Sequence, residues 1–374
     1  MRRVFPALTI LFAFLAPSGL QAASWPMNGH DAGNTSFASG ETAISRMNAG
    51  RLHATWTIPS SVTQLVSADG KLFAALAGRG GVAVYAVPSG RFLRRYSNRE
   101  LAIAARDAVN ALAYDAPRLI VASFSRIVAL DVSSGRLVWR VPQGATSLVV
   151  AGGRVYTGEG CQAFCGSPAS LALDLSTGRV LWRHAGNFGG RPVVANGRVY
   201  QAWGEMLGTT RIYDANNGRL LHSTAAFGYL MGDGSGAYFV AGPVPRFTLE
   251  RVDAAGHIVW RVPLGSAGVT QPALAYGRIF VPSNRYHAGL IAVDARNGQV
   301  TWGANLGAVS ATAVANHLLF VAHDADTIAV LDTGNGRLLR QIALPRRAGP
   351  IDTLLIQGGD VYAAGYAGLT QVSR

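Results

Sequence analysis

The chain has 374 residues, of which 49% are apolar and only 14% charged, a balance that excludes a disordered protein and leaves ample material for a core. Forty-five glycines, with no helix-length apolar periodicity between them, exclude a helical bundle and point to many turns. The formal charge of +13 rests almost wholly on arginine, Lys71 being the sole lysine, and it permits an anionic partner or surface.

At the start, Arg2 and Arg3 precede an apolar run from Val4 to Ala16, then Pro17-Ser18-Gly19 and the small residues Ala22 and Ala23. This order reads as an export signal, residues 1–22, cleaved after Ala22. The run is well short of the roughly twenty residues that a membrane span needs, and no Cys follows it for lipid attachment. The expectation is a soluble protein of the periplasm or the exterior with no transmembrane segment. Export makes nucleic acid the poorest of the anionic partners, behind acidic lipid, lipopolysaccharide or an acidic protein.

Residues 23–50, beginning Ser24-Trp25-Pro26-Met27-Asn28-Gly29-His30-Asp31, read as an irregular polar lead-in, and a strand follows at Leu52–Ile58. From there two elements alternate. The first is a turn followed by an apolar strand, with copies starting at Ala68, Asp115, Ala151, Ala195, Gly234, Ala275, Ala315 and Gln357. The second is a hairpin such as Val128–Arg140, in which alternating strands flank Asp131-Val-Ser-Ser-Gly135. Its Asp can accept backbone amides two residues on, and its Gly can take the positive φ that closes the turn. The hairpin glycines are Gly90, Gly135, Gly178, Gly218, Gly256, Gly298 and Gly336, at spacings of 45, 43, 40, 38, 42 and 38.

Between the third pair of elements stand the only cysteines, Cys161 and Cys165. In an oxidising compartment an internal disulfide is the favoured reading. Closing so short a loop would contribute only about 2 kcal/mol, rigidifying a loop rather than holding the fold. No further ligands at suitable spacing suggest a metal site.

Eight copies of one element and seven of the other leave one outer strand missing at the C-terminal end and one spare at Leu52–Ile58. A ring whose last blade is completed by the first strand accounts for the mismatch. The reading is therefore all-β: an eight-bladed β-propeller of four-stranded blades over residues 51–374, closed by pairing the N-terminal strand with the last blade. An open solenoid would leave two unpaired edges and has no use for this permuted arrangement.

The repeat resembles that of the PQQ-like β-propeller family, whose hallmark is A-x-D-x-x-T-G-x-x-x-W. The match is closest at Ala172–Trp182, good at Ala129–Trp139 and Ala292–Trp302, and recognisable at Asp253–Trp260. It decays at Asp214–His222, Asp332–Arg340 and Ala86–Arg94, where Trp is replaced. The lead-in, with Asn48 and Leu52 before Trp56, is similar to the start of quinoprotein-type members. The Gly-His and Trp-Asp signatures of a WD40 ring are absent. Physically, Trp56, Trp139, Trp182, Trp260 and Trp302 suit wedging between blades, each indole N–H reaching a backbone carbonyl, and burial of each would make truncation costly.

The resemblance implies one of two occupations. One is a PQQ-dependent dehydrogenase of alcohols or sugars, with calcium above the channel and an Asp base. The other is a non-catalytic ring, such as the barrel-assembly lipoprotein of outer membranes, presenting loops to partner proteins. Strand parity places the two sets of turns on one face and the remaining loops on the other. The loop face carries Glu159, Glu205, Asn284, Arg285, His287, Asp324 and Asp326, scattered over several blades, whereas calcium needs six to eight oxygens. Its loops are short, and the adjacent-cysteine disulfide of cofactor-using members is not matched by Cys161 and Cys165, which are separated by three residues. His323 and Asp324, adjacent at a strand end, are expected to point apart. The turn face carries Arg91, Arg136, Arg179, Arg219 and Arg337 after hairpin glycines, and Lys71, Arg118, Arg154, Arg198 and Arg278 after the first turns. These ten either solvate the ring or form a basic annulus for an anionic partner. The resulting expectation is an exported, non-catalytic protein-binding scaffold of the cell envelope, with no cofactor; PQQ with calcium belongs to the alternative.

Overall fold

A computed structural model describes residues 24–374 apart from 79, 159–168, 187–189, 204–208, 226–227, 243–245, 267–269, 286–288 and 346–349. The export signal, Cys161, Cys165, Glu159, Glu205 and His287 lie outside the described residues.

The described residues form eight sheets, each built on four antiparallel strands that in blades 1 to 7 run in chain order from the channel outward, with a fifth, short parallel strand on blade 7. Blade 1 is Val62–Ala68, Lys71–Leu76, Val82–Ala86 and Phe92–Tyr96, and blades 2 to 7 repeat it. Their inner strands are Val109–Asp115, Ser147–Ala151, Val193–Ala195, Gly228–Asp233, Ala273–Ala275 and Val309–Ala315. Blade 8 begins with Ile351–Gln357, Asp360–Gly365 and Leu369–Ser373, and takes its outer strand from the front of the chain. There His53–Ile58 pairs antiparallel with Leu369–Ser373. Eight blades and the predicted closure are thus both present. The strands are rich in Val, Leu, Ile and Ala on both faces because each blade is covered on both sides by neighbours, and the apolar clusters lie between blades.

Five of the eight blades are each fastened to the next by one indole. The indole N–H of Trp139 donates to Leu175 O at 2.9 Å, and that of Trp302 to Thr333 O at 3.1 Å. Trp56, Trp182 and Trp260 donate to Pro88 O, Ala215 O and Arg296 O at 3.0, 3.4 and 3.1 Å. Every acceptor sits in the hairpin turn of the following blade, and the turn glycine lies flat on the ring. A Cβ on Gly218 would stand 2.6 Å from the Trp182 ring, and the residue also has φ +73°. Trp139 and Trp182 are buried, at 8% exposure each. Trp56, Trp260 and Trp302 are only half-buried, which departs from the full burial expected. The reason is their place at the rim, with one ring face on the neighbour's turn and an edge toward solvent.

A β-bulge precedes the fastener in all eight outer strands, as between Leu137 and Trp139, where Val138 has no partner. The extra residue re-aims the following side chain toward the neighbouring blade. Where Trp is missing, other groups take its place. Arg94 lies 3.9 Å over the Tyr96 ring, pairs with Glu100 and sits beneath Gly135. His222 lies beneath Gly256. Arg340 ends the series at blade 7, whose neighbour has no hairpin because its outer strand comes from the front of the chain; the 3₁₀ turn Ala49–Arg51 packs against the outer strand of blade 7, Leu338–Ala343, instead.

The hairpin aspartates act as the sequence predicts. Asp174 Oδ1 accepts from Ser176 N, Thr177 N and both hydroxyls at 2.6–3.0 Å. These hydrogen bonds hold the carboxyls of Asp131 and Asp174 down to about 2.

Two predictions follow from these turns. Gly218→Ala should destabilise by about 2–3 kcal/mol through contact and strain together. Gly197→Ala, at φ +69° with open space around it, should cost only about 1 kcal/mol. Equal losses in denaturant melts would contradict the ring contact. The native carboxyl of Asp174 titrates below its ordinary value of 3.8, so the stability it contributes is full above that value and fades as pH falls toward 2. Asp174→Ala should therefore melt lower near neutral pH and converge on the wild type near pH 2.

Candidate functional site: the central channel

The lead-in is not a loose preface to the ring. It runs round the inside of the channel in blade order, accepting backbone hydrogen bonds from the innermost strands. Ser67 N donates to Trp25 O, Tyr114 N to Pro26 O, Val194 N to Ala32 O, Gly232 N to Gly33 O, Leu274 N to Thr35 O and Val314 N to Ser36 O, at 2.6–2.9 Å. Those donors belong to blades 1, 2, 4, 5, 6 and 7. Phe37–Ala38 then adds a short parallel strand to blade 7, and buried Glu41 accepts from Gly359 N in blade 8 at 3.0 Å. Positive φ at Gly29, His30, Asn34 and Ser36 bends the segment tightly enough to follow the channel wall. Gly33 is required by proximity, since a Cβ there would stand 2.1 Å from Gly232 O.

All six donors lie one or two residues before the first turn of their blades, so the lead-in closes the channel at the turn face. Above it, toward the loop face, the channel keeps a cavity of about 290 Å³. Trp25, Asn28, Gly29 and Ser36 of the lead-in line it on one side. The beginnings of inner strands line the rest through Tyr229, Thr270, Gln271, Ser310, Ala311, Thr312, Asp352, Thr353 and Leu354.

Three side chains hold the lead-in over this cavity. Asn34 is buried, and its Nδ2 donates to Leu230 O at 2.7 Å. Its Oδ1 accepts from Gln271 Nε2 at 2.8 Å and from Arg191 Nη1. Arg191 Nη1 also donates to Asn28 O at 2.6 Å. Beneath them, Asp31 accepts from Thr35 N and Oγ1, and these bonds with that of His30 outweigh burial and keep its carboxyl below the ordinary value. Burial pulls the Arg191 guanidinium down to about 10 and pushes the Asp352 carboxyl up.

The loop-face residues singled out from the sequence do not gather at the cavity. Asn284 ties its loop to the segment that follows the outer strand of blade 5, accepting from Ser266 N at 2.9 Å and donating to Ser266 Oγ at 2.6 Å. Asp324 is tied to the approach to the inner strand of blade 7, its N donating to Ala308 O at 3.1 Å, and neither it nor Asp326 lines the cavity. The expectation that His323 and Asp324 point apart is corrected: His323 Nδ1 is 2.8 Å from Asp324 Oδ2. Asp324 and Ala325 have φ of +49° and +69°, and this left-handed step turns the carboxylate back over the imidazole. His323 itself is buried.

On the turn face six of the ten basic residues share their turn with an aspartate: Lys71 with Asp69, Arg118 with Asp115, Arg136 with Asp131, Arg179 with Asp174, Arg219 with Asp214 and Arg337 with Asp332, while Asp233, Asp253, Asp294 and Asp360 stand in turns that carry none of the ten. The annulus is thus of mixed charge. Some of its cations are occupied with neighbouring blades, as where Arg154 Nη1 donates to Asn216 Oδ1 at 3.0 Å. Arg91, Arg136, Arg179, Arg219 and Arg337 are exposed, while Lys71, Arg118, Arg154, Arg198 and Arg278 are partly covered.

Sequence reasoning missed Arg191, Asn34, Gln271 and Asp352, which belong to no repeat position. The one available signal was the lead-in itself, whose Asn, Gly and Asp residues suit an irregular backbone buried against polar groups.

Among the described residues, those at the cavity do not fit PQQ with calcium. Calcium takes six to eight oxygens and its protein sites draw on several carboxylates. Among the described residues one carboxylate lines the cavity, and none of them forms a cluster of three His, Cys, Asp or Glu suited to a metal.

A family model described as outer membrane protein assembly factor BamB matches residues 123–227 and 234–374. No curated protein matches in sequence. Among solved structures, a quinohemoprotein alcohol dehydrogenase from Pseudomonas putida superposes with a TM-score of 0.72 at 14% identity, covering 94% of this chain and 79% of its own. BamB from Moraxella catarrhalis gives 0.63 at 15% identity, covering 86% and 98%. The computationally designed Ika8 protein gives 0.69 at 15% identity, also covering 86% and 98%. At these identities the likeness is one of fold.

Loss of the Asn34 side chain removes the acceptor shared by Arg191 and Gln271 and leaves Leu230 O without its side-chain donor. Asn34→Ala should cost about 2–4 kcal/mol in a denaturant melt. A loss below about 0.5 kcal/mol, the level of an ordinary surface substitution, would show that the lead-in is not docked as described.

Proposed function

The chain belongs to the outer membrane protein assembly factor BamB family of PQQ-repeat propellers, and on that premise we propose that it is an exported, non-catalytic scaffold that binds proteins of the cell envelope. The observation that carries this reading is the channel. Its turn end is closed by the chain's own lead-in, and its cavity offers a single carboxylate among the described residues. A redox cofactor with calcium would need charged groups converging there, whereas a scaffold needs only a rigid ring and accessible faces. Rigidity is supplied by the blade fasteners and by the closure of the first strand onto the last blade. No helix among the described residues is long and apolar enough to cross a membrane, consistent with an exported ring that meets its partners at the envelope surface. The mixed charges of the turn face suit a partner with charge of both signs better than a uniformly anionic surface.

Two measurements on the purified chain separate the scaffold from the dehydrogenase. Addition of PQQ with calcium should give neither quinone binding nor dye reduction with alcohols or sugars. Capture from envelope extracts should retain specific proteins, and changing Arg136, Arg179, Arg219 and Arg337 to Gln should weaken that capture and its salt dependence. Quinone binding with turnover would overturn the scaffold reading, and unchanged capture would remove the turn face from it.

A further inference from the structure

The channel cavity has a chemical polarity, set by which of its polar groups are already committed. Both amide hydrogens of Gln271 are in use, Nε2 donating to Asn34 Oδ1 at 2.8 Å and to Ser36 Oγ at 2.9 Å. Asn28 Nδ2 donates to Gln64 Oε1 at 3.3 Å. The hydroxyls of Thr312 and Ser310 donate to Gln271 O and Ala322 O at 3.0 and 3.4 Å. An amide that has given its N–H groups keeps its carbonyl oxygen, and a hydroxyl that has donated keeps two lone pairs. What these four lining side chains have left to offer is therefore mainly acceptor capacity.

A further acceptor carries charge. Asp352 stands at the start of the inner strand of blade 8 and is the one charged side chain among the described residues of the lining. It is exposed, and none of the ion pairs among the described residues includes it. Desolvation pushes its carboxyl up, with no described cation set against it. The Arg191 guanidinium is not part of the lining. It belongs to blade 4, opposite blade 8 in a ring of eight, and stands behind Gly29 and Asn34. The two charges thus lie toward opposite sides of the channel, and a cation in the cavity is drawn to the blade 8 side. Trp25, Ala311 and Leu354, all buried, add apolar wall for a carbon skeleton. The volume of about 290 Å³ stands at the lower bound of small-molecule sites, roughly 300–1,000 Å³.

We propose that this cavity binds a small primary amine bearing hydroxyl groups, of the amino alcohol or amino sugar class, with its ammonium on Asp352. One carboxylate is too little for calcium, whereas an organic ammonium meets it with charge-assisted hydrogen bonds. The hydroxyls of the same molecule supply donors to a wall whose own donors are committed. This site is independent of the scaffold reading: a ring that binds envelope proteins can hold such an amine or lack it.

The test is calorimetric titration of the full exported chain at neutral pH and low salt with ethanolamine and glucosamine. Glucose serves as the neutral counterpart and ammonium chloride as the cation without a carbon skeleton. At least one of the two amines should bind and raise the melting midpoint, with glucose and ammonium chloride weaker. Asp352→Asn should weaken binding by about tenfold or more. As an exposed residue outside the ion pairs of the ring, it should do so without lowering the melting midpoint of the free protein. Asp352→Lys places an ammonium in the cavity in cis and should abolish binding. The proposal is overturned if neither amine binds at millimolar concentration, if glucose or ammonium chloride binds as well as the amines, or if Asp352→Asn binds like the wild type.

Discussion

A ring of sheets has an inner edge as well as an outer one, and the inner edge sets the terms for this protein. Every innermost strand faces the channel with backbone groups that no further strand can reach, and a buried amide left unpaired is expensive. Here the chain answers with its own first residues. Six amides from six blades donate to carbonyls between Trp25 and Ser36. The segment that satisfies them then leaves the channel by Glu41, passes Arg46, whose guanidinium pairs with Asp332 of blade 7, and becomes the outer strand of blade 8. One stretch of about thirty residues therefore both lines the inside of the ring and closes it from the outside.

The outer edge is held by different chemistry. A bulge, an indole and a turn glycine recur from blade to blade, each ring lying under the next turn and donating to its carbonyl. The geometry admits substitution provided something flat or cationic fills the same place, as Arg94 does over Tyr96. This explains why the hallmark can decay in three blades without loss of the ring.

The ring was legible in the sequence because its determinants are local and repeated. Turn glycines near 41-residue spacing, Asp-opened hairpins and a mismatch of one outer strand suffice for eight blades and their closure. The channel was not legible, for two physical reasons. The lead-in is recognised through its backbone carbonyls, which any residue supplies, so it has no side-chain periodicity. Its clamps join residues far apart in sequence, Asn34 to Arg191 and Gln271. The fastener bulges were hidden too, since Val138 or Val259 carries no composition that marks an unpaired strand residue. The pairing of His323 with Asp324 depends on a left-handed step that alternation along a strand does not foresee. The sequence also drew attention to the arginines of the turns while passing over the aspartates beside many of them, which turn a basic annulus into one of mixed charge.

These features favour a rigid, prefilled ring over one that opens its centre to a large cofactor. The most direct test of that account is native-state hydrogen exchange of the channel-facing amides of Val194, Gly232, Leu274 and Val314. With the lead-in docked, these amides are predicted to exchange as slowly as those in the blade cores, through global unfolding alone. Rapid exchange at all four, with the blade cores still protected, would show an open channel and contradict the account.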